Sequence, residues 1–321
     1  MFKKIFDIFP PPKFLDIPYA GISISDDFVH CVKFTKKNDS VLIEKFAERP
    51  ISPGVVTSGE INKKEEIIEI LKALKNDLNL TYVKVSLPEE KAYLFTAKIP
   101  LVEKGDVVSA IESKIEENVP VSPEELIYDY KLIDHREKDH LDVVVSTIPN
   151  AVIDLYIDVV SGAGLSLLSL EIESQAVARA VVSKKTAGTV LVVNFQKEKF
   201  GMYVVSDTIV RFTSTLSFQG EVSSNLDLIS QEIKKLYTYW HTLKENVDKD
   251  EKVIKQIIVC GGGFNEDVVS YFTSKNEAVV SMGNVWVNSF DINKVVPPIS
   301  FVDSLRFSSA IGLALPNEVL I

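Results

Sequence analysis

Cysteine is scarce in this chain: there are two in 321 residues, Cys31 and Cys260. Two isolated thiols exclude a disulfide framework and a thiolate metal site, and both read as small core hydrophobes. Positive charge is also short. Lys and Arg number 35 against 45 Asp and Glu, and a net charge of -10 argues against a duplex or an acidic lipid as main partner, because phosphate recognition relies on clustered cations. No nucleic-acid partner is expected. Long apolar runs are missing as well: the longest candidate, residues 151–170, is interrupted by Asp154 and Asp158, which is incompatible with a bilayer-spanning helix. The chain reads as soluble. There is no P-loop, no G-x-S-x-G elbow, no identifiable Ser-His-Asp constellation, no low-complexity tract and no short repeat. What remains is ordinary globular composition, 46% hydrophobic and 25% charged, long enough for two domains or for one domain with a large insertion.

The first residues, "MFKKIFDIFPPPKFLDIP", hold an apolar stretch too short and too interrupted for a signal peptide. Phe2, Ile5, Phe6 and Phe9 keep helical spacing until Pro10, Pro11 and Pro12 stop it. An arm over residues 1–18 is read either as a sticky helix for a membrane surface or partner, or as a frayed tail.

From Tyr19 the pattern alternates between strands and helices. "AGISISDDFVHCVKF" predicts a hairpin turning at Ser25-Asp26-Asp27, and "VLIEKFAERPI" a third strand. "INKKEEIIEILKALKNDL" predicts a helix capped by Asn62, with an apolar stripe at Ile67, Ile68, Leu71, Leu74 and Leu78. Two strands, an amphipathic helix ending before Pro120, two strands about a polar turn from His135 to His140, a helix over residues 151–162 and a strand over 165–170 complete the first half. A second hairpin, "TVLVVNFQKEKFGMYVV", opens the second half, and its turn is expected at Asn194, Phe195 and Gln196. A strand at 209–212, a long helix over 225–243, a strand running into Gly261-Gly262-Gly263, a helix capped by Asn265 and a closing apolar helix follow. Two halves that each open on a hairpin suggest a duplicated α/β domain with an α+β insert in the first.

The order of these pieces resembles the actin-like ATPase superfamily and, within it, the PilM family of type IV pilus assembly proteins. "GISIS" (Gly21 to Ser25) sits where that family has its first phosphate turn, "ENVPVSPEELIYDYKLI" resembles its inserted subdomain, "ISQEIKKLYTYW" the helix bordering the nucleotide cleft, "VCGGG" the adenosine glycines and "SAIGLAL" the closing helix. The resemblance implies a duplicated actin-like (ribonuclease H-like) α/β fold. Its first half would comprise residues 19–55 and 166–186, its inserted α+β subdomain 56–165 and its second half 187–321. The implied nucleotide site comprises Ser23, Ser25 and Asp26 on the first turn, Asn194 and Gln196 on the second, Glu232 and Lys235 toward ribose and adenine, and Gly261, Gly262 and Gly263.

Both turns depart from the family pattern. Such hairpins use glycine so that backbone N–H groups approach phosphates, and an aspartate to hold magnesium or its water. Here serines replace the first acid and glycine, and Asn194 and Gln196 replace the second pair, so ATP with magnesium, which the resemblance implies, is not expected to bind well, and hydrolysis is not expected at all. Lys197 and Lys199 read as phosphate attractors or, more readily, as a solvated hairpin tip. The glycine triplet reads equally as a ligand cradle or as a tight turn. Glu232 and Lys235 are equally explained as the polar face of a helix, and His135 and His140, near Asp134, Asp139 and Asp142, as a solvated loop rather than a metal site.

The resemblance therefore implies a cytoplasmic scaffold at the inner face of the membrane. It would bind the cytosolic tail of a PilN-like membrane protein in a groove near residues 81–100 and 117–130, and would contact other pilus platform proteins and further copies of itself. The alternative is a working ATP-binding protein that hydrolyses slowly or polymerises, like FtsA; a sugar-kinase relative stands third, lacking any motif for its catalytic acid.

Overall fold

The computed structural model describes residues 17–37, 40–101, 106–133, 140–244, 246–247 and 249–315. The expected N-terminal arm, but for Ile17 and Pro18, and the expected role of His135 lie outside the described residues.

The chain begins with an antiparallel meander, β1 (Tyr19–Ile24), β2 (Phe28–Lys37) and β3 (Ser40–Pro50). A small ribbon, β4 (Val56–Thr57) and β5 (Glu60–Ile61), leads into helix α1 (Lys64–Leu78) and strand β6 (Tyr82–Leu87). Next come β7 (Tyr93–Pro100), α2 (Val107–Asn118), β8 (Leu126–Ile133), β9 (His140–Pro149), α3 (Asn150–Gly162), β10 (Ser166–Ile172) and α4 (Glu173–Val181). The second half runs through a second meander, β11 (Thr189–Gln196), β12 (Lys199–Ser206) and β13 (Ile209–Ser217), then α5 (Leu226–Thr242), β14 (Ile254–Gly261), α6 (Glu266–Lys275) and β15 (Val279–Met282). A short helix α7 (Phe301–Ser304) and a closing helix α8 (Ser308–Ala314) finish the described chain.

The sheets have one topology twice. The first runs β3-β2-β1-β6-β10 and the second β13-β12-β11-β14-β15, each an antiparallel meander whose first strand pairs in parallel with the next two in series. Each parallel crossover carries a helix, as the geometry of parallel pairing requires: α1 and α3 in the first half, α5 and α6 in the second. The duplicated α/β fold expected from the sequence is therefore present.

The insert is smaller than the sequence suggested. Residues 56–165 do not form one unit, because β6 pairs with β1 and β10 pairs with β6. The separate three-stranded sheet, ordered β7-β9-β8 and covered by α2, spans residues 93–149 and has its own core of Ile99, Ile111, Ile115, Val143 and Val145. Strand β6 alternates Val83, Val85 and Leu87 with Lys84 and Ser86, and all five are buried because the strand lies between β1 and β10; its position relative to β1 is a tertiary fact.

Three further cores hold the halves. One lies between the first sheet and α1 and α3, where Ile67, Leu71 and Leu74 face Ile22, Val83 and Val85. A second lies between the second sheet and α5 and α6. The third is central: Val177, Ala180 and Val181 of α4 and Ala310, Ile311 and Ala314 of α8 meet Val190, Val192 and Tyr203 of the second sheet. Strand β11 alternates between the last two cores, with Val190 and Val192 on one face and Leu191, Val193 and Phe195 on the other, which explains its unbroken apolar character. Helices α4 and α8 approach closely, since a Cβ on Gly312 would lie 1.8 Å from the Ala176 carbonyl oxygen. Both cysteines are buried and free, as expected, and burial pushes the Cys31 thiol up to about 12. Asn62 does not cap α1. That helix starts at Lys64, and the Asn62 amide donates to the Gly54 carbonyl (3.2 Å) and Thr57 Oγ1 (3.3 Å), closing the loop before it.

Candidate functional site

A cleft of about 790 Å³ lies between the two halves, walled by the β1–β2 turn, the β11–β12 turn, the glycine triplet and the α7–α8 segment. The topology brings the two hairpins together because β1 and β11 occupy equivalent places in the two sheets.

On the first hairpin, Ser25 closes the turn on itself. Its hydroxyl donates to Asp27 Oδ1 (2.8 Å), its amide donates to the Phe28 carbonyl (2.9 Å), and its Oγ accepts from the Phe28 amide (3.1 Å). Ser23 is buried at the cleft wall, and Ser25 and Asp27 also face the cleft. Asp26 does not. Its carboxylate turns to the small ribbon, accepting from the Ser58 amide (3.0 Å) and the Gly59 amide (3.1 Å), and lies 3.2 Å from the Lys199 ammonium. Of the two turn carboxylates, Asp27 alone lines the cleft.

On the second hairpin, Asn194, Phe195 and Gln196 are not the turn. They end β11, paired with Gly201, Phe200 and Lys199, and the turn itself is Lys197-Glu198, with Glu198 in the left-handed region at φ +57°. Asn194 is buried and accepts from the Cys260 thiol at 3.6 Å. Phe195 is a core residue between Phe200, Phe264 and Phe272. Gln196 donates to both oxygens of Glu173, at 2.8 and 3.0 Å. Lys199 is neither a solvated tip nor a free phosphate attractor: its buried side chain bridges Asp26 and Glu90. Burial alone would lower its ammonium, but the two acids outweigh it and hold the group above its ordinary range.

The three glycines differ in what their positions demand. Gly261 (φ +92°) is demanded by packing, since a Cβ there would lie 1.9 Å from the Phe195 carbonyl oxygen. Gly263 is also left-handed, at φ +78°. Gly262 has no such need, with the nearest atom to a Cβ at 3.7 Å, and it leaves open backbone at the cleft wall, although its own amide donates to the Phe195 carbonyl (2.9 Å). At the start of α6 the Asn265 side chain accepts from the Val268 amide (3.2 Å), so one terminal donor is already used.

Glu232 and Lys235 pair with each other at 2.6 Å on the outer part of α5. Lys235 lines a shallow surface groove with Gln231 and Tyr239, and neither residue is among those lining the cleft.

The acids that shape the floor escaped the sequence reading. Glu173 opens α4, and burial lifts its carboxyl to about 7 against the pull of Lys199, with Glu90 and Glu89 adding to the rise. Glu89 is buried, and burial raises its carboxyl too; its Oε2 accepts from the Ser174 amide (3.0 Å), placing an acid at the positive end of α4. At the rim, Arg306 reaches Glu48 (3.3 Å) and Asp303, while His30 sits 2.8 Å from Glu48. Glu48 is held below the usual carboxylate range, chiefly by the hydrogen bond to His30. An acid just after an apolar strand, as in "SLEIES", was the available signal for Glu173. His140 lies 3.2 Å from Asp142, and among the described residues no group of three His, Cys, Asp or Glu side chains is placed to hold a metal ion.

Residues 21–253 match the family model described as type IV pilus assembly protein PilM. The chain belongs to the PilM family. Its fold is similar to that in the solved structure of a PilM–PilN type IV pilus biogenesis complex, at 16% identity and a TM-score of 0.77, covering 93% of this chain and 98% of that one. It is also similar to the ethanolamine utilization protein EutJ from Carboxydothermus hydrogenoformans, at 14% identity and a TM-score of 0.51, covering 95% and 90% of the two chains. A search of curated proteins finds no match. The fold is thus the actin-like fold expected from the sequence. Among the described residues, no helix of this PilM-family chain is long and apolar enough to cross a membrane.

Outside the cleft, a smaller cavity of about 360 Å³ lies where the insert meets both halves. It is lined by Tyr130 and Lys131 of β8, Ser146 of β9, Gln175 and Arg179 of α4, and Asn288. Strand β8 is one of the two edge strands of the insert sheet.

Proposed function

We propose that this PilM-family protein is a scaffold of the type IV pilus assembly platform that binds the cytosolic tail of a PilN-like membrane protein and holds it at the inner face of the cytoplasmic membrane. The carrying observation is the fold likeness, over 93% of the chain, to the protein solved in a PilM–PilN complex. The cavity between the insert and the two halves, bordered by the open edge of β8, suits an extended peptide, which gains main-chain hydrogen bonds at a sheet edge and side-chain pockets beside it.

In this reading the interdomain cleft does not work as a magnesium-nucleotide site. Among its lining residues the acids Asp27, Glu173, Glu198, Glu221 and Asp303 face the space against Lys197, His30 and an Arg306 already engaged by Glu48 and Asp303. A triphosphate would meet repulsion there. Asn194 and Gln196 supply amides rather than carboxylates to the wall, and the carboxylate of Asp26 is bound to backbone amides and Lys199. These residues do not fit the group that the fold family implies, and the scaffold role requires no hydrolysis.

Isothermal titration with a synthetic PilN-like tail from the same genome tests the role. Micromolar binding is expected, and it disappears when residues 93–148 are replaced by a short flexible linker. Unchanged binding by a folded deletion variant refutes the groove, and absence of binding by the intact protein refutes the partner. Magnesium-ATP at millimolar concentration is expected to give no heat.

A further inference from the structure

We infer that Lys199 is a built-in clamp: a tethered cation from the second half that holds the cleft closed by engaging two acids of the first half. The lysine heads β12, directly after the Lys197-Glu198 turn. Its ammonium bonds Glu90 and lies 3.2 Å from Asp26 Oδ1, with the side chain only 8% exposed. The two acids come from separate parts of the first half, Asp26 from the β1–β2 turn and Glu90 from the 3₁₀ turn that follows β6.

Both acids are set in place independently of the lysine. Asp26 accepts from the Ser58 and Gly59 amides, and the turn holding Glu90 is anchored next door by Glu89, which accepts from the Ser174 amide at the start of α4. A second bridge runs parallel to the first, from Gln196 across to both oxygens of Glu173. The tip of the second hairpin is therefore fastened to three first-half elements: the β1–β2 turn, the turn after β6 and the start of α4. A shielded ion pair of this kind is worth most as a constraint on geometry, because removing one partner leaves an uncompensated charge behind. Lys197, two residues earlier and lining the cleft, serves as the internal control.

The consequence is a closed arrangement of the two halves that needs no bound ligand. This rests on the reading of the cleft as one that magnesium nucleotide does not use.

Hydrogen–deuterium exchange of the full chain, read at the amides of residues 23–28 and 194–201, tests the clamp. Lys199→Met is expected to raise exchange in both segments on the order of tenfold or more, while residues 190–193 in the middle of β11 keep their protection and Lys197→Met changes nothing. Equal behaviour of the two variants overturns the clamp. If Lys199→Met unfolds the protein as a whole, Glu90→Gln decides: faster exchange confined to the two hairpins supports the clamp, and unaltered protection overturns it. Magnesium-ATP added to the unmodified protein separates the two readings. Extra protection of both hairpins refutes the nucleotide-free cleft and, with it, Lys199 as the closing element, whereas an unaltered pattern alongside a silent Lys199→Met refutes the clamp alone.

Discussion

The Glu173 carboxyl offers a direct physical test of the cleft floor. It sits at the start of α4, partly buried, with Gln196 donating to both oxygens and Glu89 and Glu90 nearby. Burial raises its pKa from 4.5 to about 7. Between those values the native state keeps a proton that the unfolded chain has released, so stability falls as pH rises from 4.5 and levels off above 7. At about 1.4 kcal/mol per pH unit, the full interval corresponds to up to about 3 kcal/mol. Glu173→Gln removes the titration and keeps one acceptor for Gln196. Urea unfolding at pH 5.5, 6.5, 7.5 and 8.5, taken as unmodified protein minus variant, cancels the other titrating groups. The difference is expected to move against the unmodified protein by about 2 kcal/mol across the series, mostly below pH 7. A flat difference, or one that moves the other way, refutes the placement of Glu173 as a shielded carboxyl.

Two further outcomes follow from the glycine turn and the helix beside it. Gly261→Ala drives a Cβ into the Phe195 carbonyl oxygen at a left-handed position and is expected to cost at least about 2 kcal/mol, whereas Gly262→Ala stays within about 0.5 kcal/mol; equal losses in chemical denaturation refute the separate roles assigned to the two residues. Asn265→Ala removes the acceptor of the Val268 amide and is expected to lower stability by about 1 kcal/mol, with Asn265→Asp close to neutral; an unchanged unfolding midpoint in the alanine variant shows that the cap contributes nothing.

The sequence by itself determined the element pattern, and it did so through local physics. Apolar spacing at Ile67, Leu71 and Leu74 marked α1, short apolar-rich segments bounded by turn residues marked the strands, and Asn265 marked the start of α6. Two hairpin-led halves in series already implied a duplication. Composition likewise fixed the buried fate of Cys31 and Cys260.

What only the tertiary structure decided concerns partners far apart in the chain. The insert boundary depended on β6 pairing with β1 across the intervening meander and α1, and no local preference reports which strand a given segment will join. The hairpin register moved Asn194 and Gln196 out of the turn and into the strand, because pairing with Gly201 and Lys199 is set by both strands together. Lys199 looked like a solvated charge, since its acids stand 109 and 173 positions away at Glu90 and Asp26. The family resemblance implied ribose- and adenine-facing roles for Glu232 and Lys235, yet with Ile229, Ile233 and Leu236 of α5 in the core, neither is among the residues that line the cleft. Side-chain chemistry is written residue by residue, but a charge becomes a clamp, a ligand or a solvated tip only through the neighbours that folding brings to it, and those neighbours are set by the long-range packing of the two halves.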